Sequence, residues 1–504
     1  MGVMQPSRPA SVVLGAKGRT GVEMSIREPL LPWMRRAERG ARASIVEQWE
    51  VGRGLREFVA RRGRRPPIWP LFLIGFALLC LGLLVGPRVP DADAGYNCIG
   101  NVELPGPFGF ALNCDSPEFL WLARDPSGLL FHQNSRQSRP GMILLAALVQ
   151  APLSLLLPAD GPPTPVYQGL YDPIAVARSF TRDRPAYFAY VLLNFGILLA
   201  SFQALRLTIQ RWHPVRTGAA AIILVATGLL LVANDVTKAF VWSPHTQLLN
   251  ILVPVLAVLA TQRAVADGRV ARDFALAMGI LSGIGMTIYP VFVVIPACLL
   301  LPAVIGLWRE KSWTARRRDL ASLTILLVLS ATPLALWYGF VLATTGHFFH
   351  AELDLGQVIW MKDALNKGVG ALAEQWFGYL GLSLAMAAPQ ALGLGALIAW
   401  LALTVLVGLA RRYLDAARLS AAVPMIAIGL YASAAALGFY TCVGWITERL
   451  AYAMLPPLVV AAGGVAIMVA HRLPPAQRPV FAAGCLLIAI AQTIYEVAKI
   501  GPWS

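Results

Sequence analysis

Two acidic residues begin a short apolar segment in the sequence LNCDSPEFLWLARDPSGLLFHQNSRQSRPG, residues 112–141, which lies between two hydrophobic stretches. Asp115 and Glu118 stand about one helical turn apart, and Ser116-Pro117 between them is typical of a helix start. Because the helix dipole favours negative charge near the N-terminus, Asp115 as a helix cap is one interpretation. The alternative is chemical: Asp115 is a general base that an interfacial helix holds at the membrane surface.

Four basic residues fall near predicted membrane boundaries, namely Arg136, Arg139, Lys238 and Arg449. Positive charge stabilises a phosphate that gathers negative charge as it departs, and the planar guanidinium of arginine can bind two phosphate oxygens. Cations at helix ends whose side chains reach towards water are the structural alternative.

Polar residues at other membrane edges extend this set of candidates, because such residues are costly there and tend to be functional. Asp235 could supplement Asp115, or pair with Lys238 three residues later as an interfacial charge pair. Candidates to bind an acceptor or a sugar are His245, Gln247, Tyr289 and Tyr452. The His and acidic residues of GHFFHAELD, 346–354, match no usual zinc spacing, so the sequence requires no metal and no cofactor.

The composition predicts the elements that hold these residues. The 504 residues are 57% hydrophobic and 14% charged, with a mean hydropathy of +0.62, whereas soluble domains are roughly 25% charged. Apolar runs of about 20 residues can cross a hydrocarbon core of about 30 Å, and must be helical to do so. We therefore expect an all-α polytopic membrane protein with about 11 to 12 transmembrane helices. The runs are 68–86, 141–158, 187–206, 217–233, 246–262, 273–290, 291–308, 320–343, 389–410, 420–440, 450–470 and 479–497.

The charge pattern predicts sidedness rather than nucleic-acid binding. Residues 1–67 contain 14 Lys or Arg and 6 Asp or Glu, and such an excess beside a span marks the cytoplasmic side. We expect a basic, partly disordered cytoplasmic head (1–67), a transmembrane domain (68–497) and a tail (498–504). Met24 is an alternative start. The first loop, 87–140, is then extracytoplasmic.

Strict alternation from this loop would place five basic loops outside, against the positive-inside rule. They are 206–216, 261–273, 309–319, 410–419 and 471–478. If the number of crossings before residue 207 differs by one, a change that we call the shift of parity, all five basic loops lie inside. Either 141–158, which contains Pro152, does not cross the membrane, or 159–186 contains an extra crossing. The polar segments 113–141, 234–247, 344–368 and 440–452 then share the outer face, with 344–388 as a later outer loop.

Cys98 and Cys114 lie sixteen residues apart in the first loop. An extracytoplasmic loop permits a disulfide, and we expect one between them. The remaining cysteines lie in or beside apolar runs, where a small buried side chain explains them.

An acid in the first outer loop, followed by Arg-x-x-Arg-Pro before the next helix, resembles the GT-C glycosyltransferases. More narrowly it resembles the bacterial enzymes related to protein mannosyltransferases and lipid A sugar transferases, over 68–497 in architecture and over 113–141 and 440–457 in motif. The resemblance implies a polyprenyl-phosphate sugar as donor, Asp115 as base on the acceptor, and Arg or Lys of later outer loops on the donor phosphate. Arg139-Pro140 matches the family's Arg-Pro. TERLAYAMLPP resembles its Arg-Tyr entry to a late span, although Leu450 and Ala451 here separate Arg449 from Tyr452.

The resemblance implies a hexosyl or pentosyl transferase of the bacterial inner membrane that modifies an envelope lipid, glycan or protein on the extracytoplasmic face. Its partners are the bilayer, the lipid-linked donor and the acceptor, with no nucleic acid. A transporter or lipid flippase is one alternative, which predicts charges within spans and inverted repeats. A polysaccharide ligase or polymerase is the other, with 344–388 as its large late loop.

Overall fold

The computed structural model describes residues 67–87, 89–90, 99–131, 134–161, 173–310, 312–350, 353, 356–415 and 419–501. Within these ranges, eight helices are long and apolar enough to cross a membrane. The predicted fold class is confirmed: the chain is an all-α polytopic membrane protein. Apart from Pro67, the basic head lies outside the described residues, as do the last three residues of the tail.

Every predicted apolar run is occupied by a helix. The helices are α1 (Ile68–Leu84), α2 (Ser116–Arg124), α3 (Gly141–Leu153), α4 (Pro173–Arg182), α5 (Arg184–Trp212), α6 (Gly218–Val232), α7 (Asp235–Phe240), α8 (Leu249–Asp267), α9 (Arg272–Ile288), α10 (Val294–Arg309), α11 (Trp313–Thr345), α12 (Ile359–Lys367), α13 (Val369–Ala387), α14 (Leu392–Ala410), α15 (Val423–Val443), α16 (Glu448–Ala451), α17 (Leu455–Arg472) and α18 (Arg478–Ala498). The predicted runs correspond to α1, α3, α5, α6, α8 to α11, α14, α15, α17 and α18, and the other helices lie in the connections between them.

The first loop also contains a β-hairpin that the sequence analysis did not predict. Strand β1 (Ile99–Glu103) pairs antiparallel with β2 (Gly109–Asn113). Phe110 and Leu112 of β2 join α2, α3 and α5 in one apolar cluster. As a result eight of the nine residues of α2 are buried, so this helix is enclosed by protein instead of resting on lipid along one face.

The four polar segments predicted to share a face meet at one end of the bundle, which we call the polar end. Three hydrogen bonds link the segments in turn. The Asn113 N–H donates to Ser243 Oγ (3.0 Å), the Phe349 N–H to Gln137 Oε1 (2.6 Å), and the Val358 N–H to the Val443 carbonyl (3.0 Å).

The basic loops lie at the opposite end, which we call the basic end. Two hydrogen bonds there join three of these loops: Gln262 Nε2 donates to the Thr208 carbonyl (3.3 Å), and His471 Nε2 lies 3.2 Å from the Pro214 carbonyl. Helix α1 connects the two ends. Near its start, the centre of the Trp69 ring lies 5.8 Å from the guanidinium carbon of Arg206. Near its other end, the Cys80 carbonyl accepts a hydrogen bond from Trp242.

The shift of parity falls at α3. This helix has 13 residues, about 20 Å of length, which is shorter than a hydrocarbon core of about 30 Å. Shortly after it, the Gly161 carbonyl accepts a hydrogen bond from Arg124 of α2 (2.5 Å). The next long helix, α5, begins at the polar end, where Tyr187 donates to the Trp242 carbonyl (2.8 Å). The chain therefore enters and leaves α3 at the same end, which places the five basic loops together.

Helices α9 and α11 approach closely because α9 presents small residues. Gly279 and Gly283 are four residues apart, a spacing that lets helix backbones meet in a membrane. A Cβ at Gly283 would lie 2.2 Å from the Leu329 carbonyl oxygen of α11. Glycine is therefore required by space rather than by backbone conformation.

We expect Gly283→Ala to lower the free energy of unfolding by about 1–3 kcal/mol, because the added methyl group overpacks the α9–α11 contact. The measurement is thermal unfolding of the purified protein in one detergent. Gly339→Ala in α11 is the matched control, since a Cβ there meets nothing within 4 Å. Equal melting temperatures for the two variants would contradict the close contact.

Candidate functional site

The turn between β2 and α2 positions Asp115. Asn113 Oδ1 accepts a hydrogen bond from the Asp115 N–H (2.9 Å), which closes the turn. Ser243, from the connection between α7 and α8, lies 3.0 Å from Ser116 Oγ and accepts from the Asn113 N–H. The start of α2 is thereby joined to a segment about 130 residues away in sequence.

The Asp115 carboxylate does not cap α2. It occupies the N-cap position, but its side chain makes no capping hydrogen bond. Instead, Arg136 Nη2 lies 2.9 Å from Oδ1, and His245 Nε2 lies 3.2 Å from Oδ2. The Asp115 side chain is 21% exposed, against 6% for Arg136 and 4% for His245, so the carboxylate is the accessible member of this group.

Arg136 is held on its other side by Glu118. Its Nε donates to Glu118 Oε2 (2.9 Å), and Ser135 Oγ donates to Glu118 Oε1 (2.6 Å). The guanidinium carbon also lies 4.6 Å from the centre of the Phe119 ring, within cation–π range. One guanidinium thus bridges two carboxylates. This geometry fits Glu118 and Arg136 as supports of Asp115, rather than as the second acid and the phosphate ligand that the sequence predicted.

The charges around Asp115 keep it ionised. Burial alone raises the pKa of its carboxyl. The charge of Arg136, the hydrogen bond from His245 and the charge of Arg449 outweigh that effect and hold the pKa well below its usual range. At physiological pH Asp115 is therefore a carboxylate with no proton to donate.

His245 is neutral and its tautomer is fixed. Burial lowers the pKa of His245 to about 4, although Asp115 opposes this shift; Arg449 and Arg136 lower it further. The Thr246 N–H donates to His245 Nδ1 (2.9 Å), so the single proton of the neutral ring is on Nε2. His245 Nε2–H therefore donates to Asp115.

Arg449 is the available cation of this site. It is half-buried, and among the described residues its guanidinium has no hydrogen-bond or ion-pair partner. It is near enough for its charge to act on both Asp115 and His245. Its carbonyl accepts a hydrogen bond from Asn250 Nδ2 (3.0 Å), which fixes its backbone against α8.

Gln247 and Tyr289 belong to a buried network that supports Arg449. Gln247 Oε1 accepts hydrogen bonds from Asn250 Nδ2 (2.7 Å) and from the Tyr289 hydroxyl (3.0 Å). The Tyr440 hydroxyl donates to Asn250 Oδ1, and Arg139 lies 5.8 Å from the Tyr289 ring. Asn250 was not among the predicted residues, although an amide within an apolar run is a signal of a function or of a polar network. In the structure Asn250 is fully buried.

Asp235, Lys238 and Tyr452 are not brought to the Asp115 site. Lys499 Nζ lies 2.7 Å from Asp235 Oδ1, and Lys238 Nζ donates to the Glu496 carbonyl (2.6 Å) and to the Lys499 carbonyl. The Tyr452 hydroxyl donates to the Leu231 carbonyl (3.2 Å). Asp235, Lys238, Glu496 and Lys499 thus form a second charged group. Because cations at the last carbonyls of a helix stabilise its end, this second group joins α7 to the end of α18. Glu496 and Lys499 were missed because they lie at the very end of the last apolar run and just after it.

The described residues test the disulfide prediction only in part, and they allow a search for metal ligands. Within the described ranges, no group of three or more His, Cys, Asp and Glu residues is placed to hold a metal ion. Cys114 is disulfide-bonded. Its predicted partner, Cys98, lies outside the described residues, so the pairing stays a prediction. The other four cysteines are free thiols.

We expect Asp235→Asn to lower the free energy of unfolding by about 3 kcal/mol, because it removes the acid that forms the ion pair with the buried Lys499 ammonium. The two side chains are 10% and 9% exposed. Asp160→Asn is the control, since Asp160 and Arg184 form an exposed pair worth less than about 1 kcal/mol. Denaturation in detergent measures both, and equal losses would contradict a structural role for the second group.

No protein-family model, no curated protein and no solved structure matches this chain. The resemblance to the GT-C glycosyltransferases therefore stays an expectation. A function for the chain has to be argued from the geometry of Asp115, Arg136, His245 and Arg449.

Proposed function

We propose that the protein is a membrane glycosyltransferase that transfers a sugar from a polyprenyl-phosphate donor to an envelope acceptor. The observation that carries this proposal is the half-buried guanidinium of Arg449, which has no hydrogen-bond or ion-pair partner within the described ranges and whose charge acts on the ionised carboxylate of Asp115. Removing a cation partly from water without a bound counterion is costly, and an anionic substrate would reduce that cost.

The proposed reaction exchanges one bond at the anomeric carbon for another. The acceptor oxygen bonds to this carbon while the carbon–oxygen bond to the phosphate breaks, and the phosphate leaves with the electron pair. The acceptor proton passes to Asp115, and Arg449 stabilises the charge that develops on the phosphate. The donor and acceptor together thus require one base and one cation.

The low pKa of Asp115 is compatible with this role. A hydroxyl oxygen becomes strongly acidic as it bonds to the anomeric carbon, so a weak base suffices when the proton moves late. Before that point, the same negative charge stabilises the positive charge that develops on the sugar ring. A carboxylate that is ionised at every physiological pH serves both purposes.

The placement of the site also supports a lipid-linked donor. By the positive-inside rule we expect the basic end to face the cytoplasm, with Asp115 and Arg449 at the extracytoplasmic boundary. Helices α11, α14 and α18 are buried over less than a third of their most apolar windows, so most of their surface faces lipid. A polyprenyl chain can therefore remain in the bilayer while its phosphate reaches the polar end.

A transporter is the second candidate, because Glu496 of α18 is a buried acid within a spanning helix. Its surroundings argue against it: Asp235 and Lys499 pair beside it, and the group lies at one end of the bundle rather than near the midplane. The transfer experiment below also separates these functions, since a transporter incorporates no sugar.

We expect Asp115→Asn to reduce sugar transfer by about 100-fold or more, because the amide cannot accept the acceptor proton. Membranes that contain the wild-type protein or this variant are given labelled polyprenyl-phosphate hexoses and pentoses, and label is followed into lipid, glycan and protein fractions. Equal incorporation by the two would exclude Asp115 as base. No incorporation by the wild type from any donor would favour the transporter.

We expect Arg449→Gln to lower kcat by about 100-fold and to raise the donor KM, because positive charge is lost where the phosphate develops negative charge. Arg263→Gln is the matched control: this arginine is at the basic end and half-exposed beside Asp267. A loss of the same size in both variants would show a general effect of charge and would contradict a donor site at Arg449.

A further inference from the structure

We infer that His245 is a positioning residue that holds Asp115 in its reactive orientation through the Nε2–H hydrogen bond. This inference rests on the proposed function, and it replaces the sequence-based prediction that His245 binds the acceptor. The contact is His245 Nε2 to Asp115 Oδ2, 3.2 Å.

The segment that carries His245 is fixed from behind. Asn194 of α5 is fully buried, and its Nδ2 donates to three carbonyls of the turn before His245. These are the carbonyls of Phe240 (2.7 Å), Val241 (3.3 Å) and Ser243 (2.9 Å). Pro244 then restricts the backbone immediately before His245. The position of the histidine backbone is therefore set by α5 and not by the site itself.

The ring is confined as well. Its centre lies 4.7 Å from that of Phe240 and 5.3 Å from that of Phe119, and its side chain is 4% exposed. The hydrogen bond from the Thr246 N–H to Nδ1 determines which nitrogen carries the proton. An imidazole in these surroundings cannot turn to meet a substrate, and its one available donor points at Asp115.

The effect on Asp115 is geometric. Arg136 Nη2 lies 2.9 Å from Asp115 Oδ1 as an ion pair, and His245 Nε2 makes a hydrogen bond to Oδ2. The attraction of an ion pair is less directional than a hydrogen bond, so without His245 the carboxylate would be freer to rotate about its bond to Cβ. Small displacements of a reacting group lower the rate by about 100-fold, so the hydrogen bond from His245 matters for kcat.

His245→Gln and His245→Asn separate this role from packing. The glutamine Nε2 can occupy the place of the histidine Nε2 and donate to Asp115, whereas the shorter asparagine amide reaches only the place of Nδ1. We expect the Gln variant to keep kcat within about 3-fold of wild type, and the Asn variant to lose about 10- to 100-fold with little change in donor KM. Similar activities for the two variants, with similar melting temperatures, would overturn the inference.

A double-mutant cycle tests whether His245 acts through Asp115. In the Asp115→Asn background, His245→Asn should cost no further activity, because there is no carboxylate left to orient. A full additional loss in that background would also overturn the inference, while leaving Asp115 as the base of the proposed function.

A measurement that needs no activity tests the same geometry. In protein with ¹⁵N-labelled histidine, reconstituted in liposomes, the signal that disappears in His245→Gln should be a neutral ring protonated on Nε2 from pH 8 to pH 5. A doubly protonated ring at pH 6, or a proton on Nδ1, would refute the inference even if wild-type protein transferred no sugar. Failure of the proposed function alone would leave this signal as expected.

Discussion

The guanidinium of Arg136 lies between the carboxylates of Glu118 and Asp115 in surroundings that leave it only 6% exposed. A buried charge costs several kcal/mol unless partners compensate it, so each of the three groups depends on the others. Glu118 and Asp115 sit at the start of α2, whereas Arg136 belongs to the turn that leads into α3. These ion pairs therefore close the first loop on itself by joining the start of α2 to the turn before α3.

The carboxylate of Asp115 is one of the points at which this loop is joined to the bundle. His245 binds Asp115 Oδ2, and two residues later Gln247 enters the network of Asn250, Tyr289 and Tyr440. Asn250 in turn fixes the backbone of Arg449. An acid of the first loop and a cation that follows α15 are thus held in one frame, because buried polar groups must satisfy one another where water is absent.

Much of this architecture follows from local pattern. Apolar runs predicted every spanning helix, and basic loops required a shift of parity before residue 207, which falls at α3. Local pattern could not predict the β-hairpin of the first loop, nor the contact of Asp115 with His245 across 130 residues. Local pattern also grouped Asp235 and Lys238 with the Asp115 site, to which the fold does not bring them. They follow a span as the other candidates do, and only the tertiary packing of α18 shows that Lys499 and the Glu496 carbonyl engage them.

The two charged groups at the polar end differ in what they leave available. In the second group, the Lys238 ammonium caps the end of a helix and the Lys499 ammonium faces Asp235, so both charges are used within the protein. In the first group, the carboxylate of Asp115 is more exposed than Arg136 and His245, and Arg449, whose charge acts on that carboxylate, has no partner among the described residues. Ion pairs that serve stability are closed in this way, whereas a site for an anionic substrate must keep a charge unmatched until the substrate binds. We therefore propose that the second group serves stability and the first serves chemistry.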